Sequence, residues 1–208
     1  MSNDCTLNEY RKELKVKILQ QASERFAKNG VRMIKMDDIA HSLGISKRTL
    51  YELYPNKEEL LLECVKKQMN AVHEQLEGEL GKDYNVMDVI CHVYRIHIRR
   101  IVLLSPVVFE DLHLYPKVRE FWAAHHEQKK KETMAFFKKG KEEGYFLADA
   151  NFDIISHIGD LLNESIAKNR LYFKYAPEEL FRHMVLMFIR SICTAKGIEE
   201  LDRIMGTK

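Results

Sequence analysis

Residues 36–61 read MDDIAHSLGISKRTLYELYPNKEELL, a run that resolves into two short helices joined by a tight turn and the start of a longer one. Asp37 and Asp38 fall in the first turn of the first helix, where the helix dipole favours carboxylates. Ile39, Ala40 and Leu43 recur at helical spacing and form its inner face, and Gly44 ends it. Ser46 offers an acceptor to the open N–H groups of the next helix, 47–54, which Pro55 breaks. Asn56, with Glu59 three residues on, caps a further helix that starts at Lys57 and runs towards Leu76 or Leu80, with Gly78 or Gly81 as its stop.

Two short helices around Gly44-Ile45-Ser46 have the anatomy of a helix-turn-helix, in which the first helix braces a second that enters the DNA major groove. Ala40 is small enough for close approach, Gly44 makes the turn, and Ile39, Leu43, Ile45 and Leu50 lock the crossing. The other face of the second helix stays polar or aromatic, with Lys47, Arg48, Thr49, Tyr51 and Glu52. Ser46 and the free N–H groups beside it suit a phosphate. By themselves Lys47 and Arg48 read as a solvated pair, a reading that register with the whole motif reverses; Tyr51 and Tyr54 alone read as core edges, and Tyr54 can be both, its ring packed and its hydroxyl free.

Upstream, Val16, Ile18, Leu19, Ala22, Phe26 and Ala27 make the apolar stripe of a helix over 14–28, closed by Asn29-Gly30. Downstream, helices are predicted over 86–104, 107–114, 117–143, 152–172 and 177–195. A last amphipathic stretch follows over 198–205, separated by Gly197. The segment GYFLADANFD connects two of them, and strand-like alternation, repeats and low-complexity tracts are absent. The fold class is all-α: a helix-turn-helix three-helix head in residues 1–56 on a larger helical body, 57–208.

Composition agrees with that reading and excludes others. Hydrophobic residues are 46% and charged residues 31% of the 208, the balance of a globular chain, and only 9 Gly and 4 Pro favour long helices. The longest apolar run, 101–109, is too short for a membrane span and is broken by Ser105-Pro106; the opening residues have no signal-peptide core, so the cytoplasm is expected. Cys5, Cys64, Cys91 and Cys193 lie far apart and read as incidental thiols. His92/His97 and His125/His126 lack i, i+4 spacing and His157/Asp160 at i, i+3 is a weak pair, so no metal or cofactor is expected. No nucleophile, phosphate-loop or zinc motif argues for an enzyme. A formal net charge of +2 does not by itself indicate nucleic acid, so the argument rests on where the charges sit.

Residues 18–62 resemble the DNA-binding region of the TetR family of transcriptional regulators. The resemblance is carried by Ile18-Leu19, Ala22, Phe26-Ala27, Gly30, Asp38-Ile39-Ala40, Leu43-Gly44-Ile45-Ser46, Thr49-Leu50-Tyr51, Tyr54-Pro55 and Lys57-Glu58-Glu59-Leu60. It implies base or phosphate contacts from Lys47, Arg48, Thr49 and Tyr51, and phosphate contacts from Tyr54 and Lys57. Two positions depart from the pattern. Lys35 stands where a Ser or Thr often caps the second helix, losing the cap but placing a cation within reach of phosphate. Arg48 replaces a common Gly and adds a guanine-reading side chain. Glu52, one turn on, reads cytosine, restrains Arg48 or repels phosphate; the sequence leaves these open.

The resemblance further implies a homodimer built from helices 152–172 and 177–195, and a palindromic operator on double-stranded DNA. Helix 177–195 is apolar nearly all round, which demands cover on most sides. A small-molecule effector between the central helices is also implied, with Tyr94, His97, Phe109, His113, Trp122, Phe136 and His157 as its lining; at each of these positions ordinary core is the competing reading. The function expected is a ligand-responsive repressor, and the alternative is a regulator without a small effector, controlled by a protein partner.

Overall fold

A computed structural model describes residues 2–80 and 84–205. The expected helix stop at Gly81 and the side chain of Cys5 lie outside the described residues. Ten α-helices follow one another: α1 (Ser2–Asn29), α2 (Met36–Ser42), α3 (Lys47–Leu53), α4 (Lys57–Glu79), α5 (Val86–Ile101), α6 (Pro106–Leu112), α7 (Pro116–Glu142), α8 (Phe152–Lys168), α9 (Pro177–Ile192) and α10 (Ala195–Met205). No strand occurs among the described residues; one antiparallel bridge joins Phe146 to Cys193. The all-α expectation holds.

Helix starts follow the capping chemistry. The Asn56 side chain accepts the Glu59 N–H at 2.9 Å, and Asn85 accepts from Met87 and Asp88 at 2.7 and 3.0 Å. Pro106, Pro116 and Pro177 each occupy a first helical position, where the missing N–H costs nothing.

Several boundaries differ from expectation. Helix α1 begins at Ser2 rather than near residue 14; its first turns are mostly polar and precede the continuous apolar stripe from which the start was placed. Helix α4 does end beside Gly78, at Glu79, as expected. The helix expected over 152–172 stops at Lys168: Arg170 takes a left-handed φ of 54°, and a short 3-10 turn, Leu171–Phe173, leads to α9. Gly197 is not a separator but a buried residue within α10, where a Cβ would come within 2.3 Å of the Tyr145 carbonyl oxygen.

The chain divides into two compact units. The first comprises Met1–Asn70 and Leu104–Trp122, the second Ala71–Leu103 and Ala123–Lys208. The core of the first holds Ile18, Ala22, Phe26, Val31, Ile39, Leu50, Leu60 and Val118, so α6 and the start of α7 belong with the head helices. Fully burying each of the Ile, Leu, Val and Phe side chains of this core contributes about 1.5–3 kcal/mol. In the second, Val86, Met87, Cys91, Phe146, Phe152, Ile192, Cys193 and Leu201 form the core. The thiols of Cys64, Cys91 and Cys193 are buried and pushed up to about 11 by burial, which keeps them protonated and inert.

Candidate nucleic-acid interface

Helices α2 and α3 cross around Ile39, Ala40 and the fully buried Leu50, with Gly44 at φ 64° between them. That left-handed turn is open to Gly at no steric cost. Ser46 caps α3: its Oγ accepts the Thr49 N–H at 3.0 Å and lies 2.8 Å from Thr49 Oγ1. Lys35 caps α2 without a side-chain acceptor, and Asp38 compensates from the other end, its carboxylate taking the Lys35 N–H at 3.0 Å.

The polar side chains of α3 point outward. Lys47 and Arg48 are 68% and 89% exposed, and Tyr51 is exposed beside them. Both cations have acidic partners. The Lys47 ammonium is hydrogen-bonded to Asp37 of α2, which raises its pKa, and Arg48 Nε donates to Glu52 Oε1 at 2.9 Å. Lys35 is exposed on the same motif, while Thr49 is half-buried by its cap.

Tyr54 and Lys57 are placed differently. Tyr54 is buried in the head core at 4% exposure, with the Lys15 ammonium 6.0 Å from its ring centroid. Burial above all, then Glu63 and Cys64, pushes its phenol up to about 12. The Lys57 ammonium donates to three backbone carbonyls, those of Val31, Arg32 and Ile34, at 3.1, 3.2 and 2.9 Å. All three of its N–H groups are thereby engaged, and partial burial lowers its pKa. In this geometry Lys57 ties together the turn ahead of α2.

Sequence reasoning missed the other support of that turn. Asp111 of α6 is completely buried, accepting the Arg32 backbone N–H and the Arg32 Nε. A sequence signal existed: Asp111 lies three residues after the buried Val108, in phase with an inward face. The partner could not be read from it.

The residues expected to line an effector site do not gather within either unit. Phe109, His113 and Trp122 belong to the first, where Trp122 packs on the head core and meets His113 edge-on at 6.4 Å. In the second unit, Tyr94 stacks on Phe181 at 5.8 Å and His97 tilts against the same ring at 5.9 Å. Phe136 joins the cluster of Phe137 and Phe146, and His157 is exposed.

Residues 18–64 match the family model for bacterial regulatory proteins, tetR family. The match lies within the head. The remainder of the chain has the fold of TetR-type structures. A TetR-family transcriptional regulator from Marinobacter aquaeolei VT8 superposes with a TM-score of 0.68 at 17% identity, over 93% of this chain and 96% of its own. A Saccharomonospora viridis protein in complex with choline gives 0.67 at 20% identity, over 88% and 99%. The ketosteroid transcriptional regulator KstR2 of Mycobacterium tuberculosis gives 0.55 at 18% identity, over 86% and 95%. Comparison with curated proteins yields no match. The TetR-type fold accounts for the head, the all-helical body and the outward polar face of α3. Among the described residues no helix is long and apolar enough to cross a membrane.

Proposed function

We propose that this TetR-type protein is a homodimeric repressor that binds a palindromic operator and releases it when a small molecule binds the helical body. The carrying observation is the family-matched head with its exposed α3 face. In this reading residues 1–56 form the reading head and 57–208 the body. Lys35, Lys47, Arg48 and Tyr51 meet DNA directly, and Ser46 and Thr49 set the start of the reading helix.

Dimerisation is supported by α8, where Ile154, Ile158 and Leu161 stand 57%, 50% and 54% exposed at i, i+4 and i+7. Met187 of α9 is 54% exposed, and of that apolar helix only Ile192 is buried. A stripe of this kind calls for a partner surface, and a two-fold dimer supplies the half-site spacing that a palindrome requires. The choline bound to the Saccharomonospora viridis protein supports a small-molecule effector.

Selection from random duplex DNA, followed by a salt series on the winning sequence, tests the reading. A two-fold symmetric consensus bound with a steep salt slope is expected. Failure of folded protein to enrich any sequence would overturn it. In parallel, Ile158→Glu with Leu161→Glu should yield monomers that no longer hold the full palindrome.

A further inference from the structure

The two basic side chains best placed to meet DNA are each tied to a carboxylate of the same motif. Lys47 is bonded to Asp37 across the two helices, and Arg48 to Glu52 one turn along α3. Asp37 and Glu52 are themselves 44% and 46% exposed, so their charge is felt at the surface that approaches the duplex. Two cations against two carboxylates leave this part of the face with no net charge.

Affinity for DNA of any sequence comes from cations that displace counterions from phosphate, and a neutralised cation contributes little of it. A carboxylate at the same surface is repelled by every phosphate, whatever the bases. Discrimination behaves differently. With Nε–H held by Glu52, Arg48 keeps four N–H groups on its two terminal nitrogens, the fork that meets O6 and N7 of guanine.

We propose that Glu52 is a specificity-determining residue. With Asp37 it lowers affinity for DNA of any sequence by neutralising Arg48 and Lys47, and it alone orients Arg48 to read a guanine in each half-site. The inference rests on α3 being the reading helix, and it assigns Glu52 to restraint of Arg48 and repulsion of phosphate rather than to a base contact of its own.

The test compares wild type, Glu52→Gln, Asp37→Asn and Arg48→Ala on the selected duplex and on a scrambled duplex of equal length. Each variant's melting temperature is recorded alongside. Glu52→Gln lies on an exposed face and should fold as wild type. It should bind the scrambled duplex about three- to tenfold more tightly, with a salt slope steeper by about one to two units. The selected duplex should change by less than about twofold, so the ratio of specific to non-specific affinity falls. Asp37→Asn, which touches only Lys47, should tighten both duplexes alike and leave the ratio unchanged. Arg48→Ala should lose the guanine preference.

If Arg48→Ala erases that preference while Glu52→Gln leaves the ratio unchanged, the orienting role of Glu52 is overturned and the reading helix stands. If Glu52→Gln exchanges a cytosine preference for adenine, Glu52 is itself a base reader and the inference is wrong. If Arg48→Ala leaves the consensus intact, α3 is not the reading helix, and the proposal falls with that assignment.

Discussion

Asp111 reaches across 79 positions of sequence to hold Arg32, accepting its backbone N–H at 2.9 Å and its Nε at 2.6 Å. The carboxylate is wholly buried, whereas the Arg32 side chain is 56% exposed. A buried carboxylate persists only where donors replace its water, and here a backbone amide and a guanidinium do so. Asp111→Ala removes both acceptors from the turn that leads into α2. Urea unfolding should show a loss of about 1.5–3 kcal/mol, the usual range for hydrogen bonds to a charged group. Asp111→Asn, which keeps one acceptor oxygen, should fall between wild type and Ala. Arg32→Ala should also destabilise, because it leaves the buried carboxylate with the amide alone.

Gly30 stands against the same carboxylate. Its φ is 82°, and a Cβ there would lie 2.7 Å from Val107 Cγ1 and 2.9 Å from Asp111 Oδ2. Gly30→Ala therefore combines left-handed strain with a clash against α6. A cost of about 1–3 kcal/mol is expected in thermal or urea melts. Gly44→Ala is the control: it shares the left-handed φ of 64° but meets nothing within 4 Å, so it should cost less.

Lys57 separates a structural cation from a DNA-binding one. Lys57→Met keeps the aliphatic stem and removes three donors from the carbonyls of Val31, Arg32 and Ile34. Stability should drop by roughly 1–3 kcal/mol, while the salt slope of DNA binding stays at its wild-type value. Arg48→Ala should do the reverse: unchanged melting, with specific binding weakened by about 1–3 kcal/mol. A Lys57→Met protein of normal stability whose salt slope flattens by about one unit would place Lys57 on phosphate after all.

His97 introduces a pH dependence in the second unit. It packs against Phe181, and burial, reinforced by Arg100, lowers its pKa below the ordinary histidine value. The folded protein thus holds the neutral ring at pH values where an unfolded histidine, titrating near about 6.5, takes up a proton. Proton binding favours the unfolded chain, so stability is intact above about pH 7 and is lost as pH falls through about 6.5 towards the folded value. Melting temperatures at about pH 7.5 and 5.5 should show this drop, and His97→Gln should reduce it. An equal drop in the variant would assign the acid sensitivity to other groups.

How far the sequence carries is clearest where the relevant partners lie within one helical turn. Ser46 and Thr49, Asn56 and Glu59, Arg48 and Glu52 are three or four residues apart, and each pair meets as its spacing requires. The inward set Ile39, Ala40 and Leu50 was equally legible, because a 3.6-residue period has only one apolar face to bury. Where the period failed, the reading failed. The first turns of α1 are mostly polar, and the 152–172 pattern does not register that Arg170 turns left-handed.

Tyr54 and Lys57 show the limit from the other side. Both match the family motif, and nothing in their spacing distinguishes an outward phenol or ammonium from an inward one. Packing turned Tyr54 into the head core, and the carbonyls of the 31–34 turn captured Lys57. Asp111 and Gly197 are legible only in three dimensions, since one needs Arg32 and the other the Tyr145 carbonyl. The sequence by itself determined most of the helices, the side-chain caps at Ser46 and Asn56 and the outward polar face of α3, because those follow from interactions within a turn or two of chain. Only the tertiary structure decided which polar groups became struts. That choice depends on which distant backbone and side-chain atoms are brought out of water together, and no local period encodes it.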